Sequence, residues 1–200
     1  MYDLNKIVEQ IREFDIKTKA LVNSLKNFKE LKSKINNSNF DKLKIVGVDG
    51  GFIRKEFHGA SFALCRGVAV YFEYENGTLI KTSYFPEKKP NFRLIPIDIN
   101  LPERDANLFC NLIREKIELE TCINALEVFE PDILIRDGSI ILYPGSLPSK
   151  ESQIYSLYEE IMSLVKVLYE KSFLKNTLLC GAVEDSRGKR FCNFLKNFTN

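Results

Sequence analysis

Histidine is almost missing from this chain. His58 is the only one, so a Ser-His-Asp or Cys-His catalytic site would have to be built on it, and no arrangement around it supports one. Cysteine is present but unpatterned: Cys65, Cys110, Cys122, Cys180 and Cys192 are odd in number, contain no Cys-x-x-Cys pair and sit mostly in apolar segments. There cysteine behaves as a small hydrophobe, which points to a reducing, intracellular setting. No stretch approaches the roughly 18 apolar residues of a membrane span, and Met1-Tyr2-Asp3-Leu4-Asn5-Lys6 lacks the layout of a signal peptide. The expectation is a soluble, cytoplasmic protein with no membrane partner. Excess charge is lacking too. With 29 basic and 27 acidic residues the net charge is +2, so nucleic-acid binding has to rest on local patches such as Lys29, Lys32 and Lys34 or Arg187, Lys189 and Arg190.

What is present suits one globular domain with an appendage: 200 residues, 44% of them hydrophobic and 28% charged. From Leu4 to Ile35, apolar residues from Ile7 and Ile11 through Phe28 to Ile35 recur at threes, fours and sevens. This predicts a long amphipathic helix, open to a break near Asp15–Lys19, whose stripe covers either its own domain or a second copy. It makes residues 1–36 a packing or dimerisation element, and Asn36-Asn37-Ser38-Asn39 a linker. The main domain, residues 43–200, reads as strands Lys44–Asp49, Ala60–Glu73 and Thr78–Phe85, then an irregular stretch from Pro86 to Pro102. A helix over Asp105–Phe129 follows, ended by Pro131, then a strand Ile133–Arg136, a helix Ser152–Phe173, a strand Thr177–Val183 and a short helix Lys189–Asn197. The order β-β-β-α-β-α-β-α predicts an α/β fold: a mixed sheet with helices on its faces and its first and fourth strands side by side.

Two of those strands end alike. Lys44-Ile-Val-Gly-Val48 and Asp132-Ile-Leu-Ile-Arg136 each run into Asp-Gly, at Asp49-Gly50-Gly51 and Asp137-Gly138-Ser139. Asp-Gly between strand-like runs is a hairpin signal. Aspartate is also depleted inside strands, so one set directly after an apolar run is either a turn or a placed functional group. If the two strands are neighbours, so are the aspartates. Adjacent carboxylates repel unless a divalent cation neutralises them, and an oxygen-only ligand set suits Mg²⁺ or Mn²⁺ over zinc. Two such ions about 4 Å apart activate water and stabilise a leaving oxygen in phosphodiester hydrolysis.

A third ligand is sought on the preceding helix. Turning each residue by 100° puts Leu112, Leu119, Cys122, Ile123, Leu126 and Phe129 on the buried stripe and Glu120 and Glu127 on the opposite side. Glu118 falls at the stripe's flank and Glu115 within it, where a carboxylate needs a partner; Glu118 is preferred, with Glu115 in reserve. Glu184 and Asp185 can add a ligand, or Arg187 a phosphate contact, although Asp185 or Ser186 serves equally as a helix N-cap.

At these residues the chain resembles the NurA nuclease family, archaeal and bacterial DNA-end-processing nucleases with an RNase H-like core that work beside the HerA hexameric ATPase. The likeness is carried by Val46-Gly-Val-Asp-Gly-Gly-Phe52 with Gly59 and Arg66-Gly-Val-Ala-Val70, by Asp132-Ile-Leu-Ile-Arg-Asp-Gly-Ser139, and by Gly181-Ala-Val-Glu-Asp-Ser-Arg187. The resemblance implies Mn²⁺- or Mg²⁺-dependent DNA hydrolysis, with Asp49, Glu118 and Asp137 as metal ligands, in a homodimer acting on DNA ends with a HerA-like ATPase. Gly51 stands where the family has serine, Glu184 where it has lysine, and the family's C-terminal stretch with its tyrosine and histidine is expected to be lacking. A split-gene or non-catalytic binding subunit is the alternative expectation.

Overall fold

The computed structural model describes residues 4–25, 41–141 and 147–183. The chain divides into two units, residues 39–184 and a second comprising residues 1–38 and 185–200. In the second unit, helix α1 (Leu4–Leu25) runs unbroken through the Asp15–Lys19 segment, where Lys19 donates to Asp15 one turn away at 2.7 Å. Val8, Ile11, Phe14 and Ile16 are exposed along it. Residues 26–35 of the expected helix and the expected Lys189–Asn197 helix lie outside the described residues.

The larger unit contains β1 (Lys42–Phe57), β2 (Ala60–Glu75), β3 (Thr78–Phe85), β4 (Arg93–Ile97), α2 (Glu103–Phe129), β5 (Ile133–Asp137), α3 (Tyr155–Leu174) and β6 (Leu178–Ala182). They build a six-stranded sheet in the order β3-β2-β1-β5-β6, with β4 also on β2. β1, β2 and β3 form an antiparallel meander, and β5 and β6 join in parallel. The expected mixed sheet is therefore present, with β1 beside the strand that carries Asp137.

Two expectations are corrected. The first strand does not stop at Asp49: β1 passes through Asp49-Gly50-Gly51 as extended chain and turns only at His58-Gly59, where Gly59 takes φ +79°. The reason is its partner, because β2 matches β1 residue for residue from Lys42↔Glu75 to Phe57↔Ala60. Asp49 is thus a mid-strand residue. The stretch between Pro86 and Pro102 also contains a strand, β4, which pairs with β2 from Ser61↔Ile97 to Cys65↔Arg93. Its Pro96 is tolerated because the strand lies at an edge, where a missing N–H breaks no second ladder.

α2 and α3 pack on the same face of the sheet. Val46, Val48, Ala69, Tyr71 and Leu134 meet Leu119, Cys122, Leu126, Ile161 and Leu168 in one core, and Ala63, Cys65, Ile97, Cys110, Ile113 and Ile117 form a second. Strand alternation turns Gly47, Asp49, Ile135 and Asp137 to the other face.

Candidate metal centre

Register decides where the two aspartates stand. β1 and β5 are parallel and pair up to Val48↔Arg136, so the next residues, Asp49 and Asp137, are side by side immediately past the last pair. Both are exposed and line one cavity of about 340 Å³ on the face opposite α2 and α3 with Val68, Val70, Phe72 and Ile135. β5 ends there because Gly138 turns away at φ +77°, its N–H bonded to the Ala182 carbonyl at 2.7 Å. β1 continues to Phe57, so beyond Asp49 its β5 side carries no strand among the described residues.

Glu118 reaches this stretch of β1 from α2. It is fully buried, and a Cβ built on Gly50 would lie 2.4 Å from its Cγ and 3.0 Å from its Oε1. The helix comes this close because Gly50 is paired across the sheet with Gly67, whose own Cβ would lie 2.6 Å from Thr121 Oγ1. Facing glycines remove the side chains that would hold the helix away.

Both oxygens of Glu118 are occupied. Arg114 donates to Oε1, and Arg136 donates to Oε2 at 3.3 Å while also donating to Glu115. The side chains of Arg136 and Glu115 are 4% and 13% exposed, that of Arg114 31%. Burial pushes the Glu118 carboxyl up to about 7, with Arg114 and Arg136 pulling it down and Glu115 pushing it up again. Burial also works against the charge on Arg136, but Glu115 and Glu118 outweigh it and leave its pKa raised. Two guanidinium groups and two carboxylates thus neutralise one another beneath the strand.

The structure brings Asp49 and Asp137 together and sets Glu118 and Glu115 in an ion-pair network under β1. Among the described residues, no three His, Cys, Asp or Glu groups are clustered closely enough to hold an ion, and no cationic side chain pairs with either aspartate. Two neighbouring carboxylates without a counter-charge are a donor set that fits a hard divalent cation. Glu127 is on the helix's outer side with Lys171 and Lys175, as expected, whereas Glu120 is tied to Arg93 of β4 at 2.8 Å. Glu184, Asp185 and Arg187 lie outside the described residues. Sequence reasoning missed Arg114 and Arg136 as partners of Glu118. The signals were an arginine at an inward position of the apolar run Asp132-Ile-Leu-Ile-Arg136 and another four residues before Glu118 on the same helix face.

An antiparallel meander extended by parallel strands, with aspartates on neighbouring central strands, defines an RNase H-like α/β protein with a candidate carboxylate metal centre. The NurA domain model matches residues 43–199, and the chain belongs to the NurA family. It is similar to the NurA nuclease from Sulfolobus solfataricus, with 16% identity and a TM-score of 0.51 over 93% of this chain and 62% of that one. It thus spans about three fifths of that relative's length. It is also similar to a NurA bound to dAMP and manganese (14% identity, TM-score 0.44, 90% of this chain and 43% of that one). Thermus thermophilus RuvC is matched at 9 to 11% identity and a TM-score of 0.27, over about 70% of this chain and 65% of that one. No curated protein sequence matches the chain. No described helix is long and apolar enough to cross a membrane.

Proposed function

We propose that this chain is a NurA-type, divalent-metal-dependent deoxyribonuclease that hydrolyses phosphodiester bonds in DNA. The observation that carries the reading is the register-matched pair Asp49 and Asp137, two adjacent carboxylates lining one cavity with no cationic side chain paired to them among the described residues. In this reading they hold Mn²⁺ or Mg²⁺, and Glu118, which lies on the α2 side of β1 at Gly50, is the third carboxylate of the set once it leaves its arginines. The bound ion supplies an activated water and charge stabilisation at the leaving oxygen. The chain's own part is to orient: the rigid β1–β5 pair fixes the spacing of the two carboxylates, and the exposed cavity admits a DNA backbone. Glu115 stands in reserve for Glu118 in this reading, and Asp185 and Arg187, the other candidates from the sequence, lie outside the described residues.

The role extends to DNA ends, by 5′–3′ exonuclease and single-strand endonuclease action, in repair and recombination with a HerA-like hexameric ATPase. α1, with its exposed Ile11 and Phe14, supplies a homodimer contact, and the setting is cytoplasmic. A second reading, a non-catalytic or split-gene NurA-like subunit, is favoured by one observation: both oxygens of Glu118 are committed to arginines. The deciding experiment is Mn²⁺-dependent degradation of end-labelled linear DNA by the purified chain, with Asp49→Ala and the Asp49→Ala, Asp137→Ala double variant as controls. Cleavage that both variants abolish supports the nuclease. Equal cleavage by the double variant sinks it, and a folded chain that binds DNA without cutting it favours the non-catalytic subunit.

A further inference from the structure

Arg66 shares a sheet face with the aspartate pair. In the β1–β2 ladder Asp49 is paired with Val68 and Gly51 with Arg66. Alternation therefore turns Asp49, Val68 and Arg66 to the face opposite α2 and α3, where Val68 lines the cavity of the aspartates. Gly67, between them, looks the other way, toward Thr121 of α2. Asp49 and Arg66 are diagonal neighbours, a relation that spans about 7–8 Å between backbones. The surface between them is clear, because the residue facing Arg66 on β1 is Gly51, with nothing within 4 Å of its Cβ position. On its other side β2 has no strand partner at residues 66–68, since pairing with β3 reaches only Ala69↔Phe85 and pairing with β4 only Cys65↔Arg93. Arg66 thus also borders a notch of about 110 Å³ in the sheet edge. Phe92, one residue before the last β4 pair, fills the place beside Arg66, whose guanidinium carbon lies 4.8 Å from the centre of its ring.

Arg54 of β1 and Arg93 of β4 are tied to Glu103 and Glu120. Arg66 has no carboxylate beside it among the described residues. It is exposed, and the ring that holds it is itself 46% exposed. A guanidinium held by a ring keeps its N–H donors for an anion. An exposed ring beside a cation is also the combination used for single-stranded nucleic acid, with a backbone phosphate on the cation and a base face on the ring. A base stacked within a duplex has no free face to offer.

Resting on the reading above, in which Asp49 and Asp137 hold the cation that cleaves DNA, we propose that Arg66 and Phe92 form a nucleotide subsite beside that centre. Arg66 takes a backbone phosphate neighbouring the one at the cation, and Phe92 packs its exposed side against an unpaired base. The subsite thereby selects a single strand over a duplex.

The test is fluorescence anisotropy with a labelled phosphorothioate oligonucleotide that resists cleavage, as a single strand and as its duplex, titrated at several salt concentrations in Mn²⁺. The proteins are wild type, Arg66→Gln, Phe92→Ala and, as a control for lost charge, Lys166→Gln on the exposed side of α3 across the sheet. Phe92→Ala is expected to weaken single-strand binding by roughly 5- to 100-fold, the loss of one base–aromatic stack, and duplex binding far less. Arg66→Gln is expected to flatten the dependence of log K on log salt for the single strand by about 0.7, the share of one phosphate contact, while Lys166→Gln leaves the slope unchanged. An Arg66→Gln slope equal to wild type, or a Phe92→Ala loss equal for single strand and duplex, overturns the inference. Should Phe92→Ala not fold, Phe92→Leu keeps the bulk and loses the ring, and undiminished single-strand binding there overturns it as well. The two levels separate in a parallel assay on unmodified DNA. Cleavage that depends on Asp49 together with binding that ignores Arg66 and Phe92 refutes only this inference, whereas binding through these two residues with no cleavage refutes the nuclease reading and leaves the subsite standing.

Discussion

Gly50 of β1 and Glu118 of α2 touch so closely that a single methyl group on the glycine would lie 2.4 Å from the glutamate Cγ, inside van der Waals contact. The neighbouring Gly51 has nothing within 4 Å of its Cβ position. Gly50→Ala should therefore cost about 1–3 kcal/mol of stability through overpacking. Gly51→Ala should stay within about 0.5 kcal/mol of wild type. Urea unfolding of the two variants checks this, and equal midpoints would mean that the helix approaches the strand less closely than described.

Arg136 is the member of the ion-pair network that two carboxylates share. Replacing it by methionine leaves Glu115 and Glu118 facing each other with only Arg114 to compensate. The loss should be about 3–5 kcal/mol, the cost of breaking a buried pair from one side. Adding Glu118→Gln to Arg136→Met should recover part of that loss. A thermodynamic cycle on the two variants would give a coupling on the order of 0.5–3 kcal/mol if the pair interacts as the geometry indicates.

Asp49 and Asp137 are exposed and have no counter-ion among the described residues, so neither holds the fold together. Asp49→Asn and Asp137→Asn are expected to leave the melting temperature close to wild type, within the roughly 0.5 kcal/mol usual for surface substitutions. Each is expected to abolish metal-dependent DNA cleavage. A large fall in melting temperature on either change would make them structural residues.

Thiol reactivity should divide the cysteines. Cys65, Cys110 and Cys122 are buried, and burial raises their thiols, Cys65 to about 11 and Cys122 to about 12. A raised thiol pKa means that the reactive thiolate is scarce at pH 8 and increases only as pH climbs. Iodoacetamide at pH 8, read by mass spectrometry, should label the partly exposed Cys180 within minutes and leave these three untouched until denaturant is added. Labelling of Cys122 in the native protein would mean that the core between α2 and the sheet opens.

The sequence alone determined whatever depends on local chemistry. Strand-like runs, helical periodicity and prolines located most of the elements, and Pro131 marked the end of α2, where Glu130 adopts a left-handed φ of 44°. The face on which Glu118 would be buried was legible from 100° turns. Family membership was legible in Asp49-Gly50, Asp137-Gly138 and the segments between them. What only tertiary structure decided are the consequences of pairing. β1 continues through Asp-Gly because β2 matches it across the whole hairpin, and no local signal states how long a partner is. β4 forms from a proline-bearing stretch because β2 offers it a free edge beyond the end of β3. Two glycines a strand apart let α2 settle onto β1 only because register places Gly50 opposite Gly67. The meeting of Glu118 with Arg136, and of Asp49 with Asp137, joins residues far apart in the chain, through packing that no local propensity encodes.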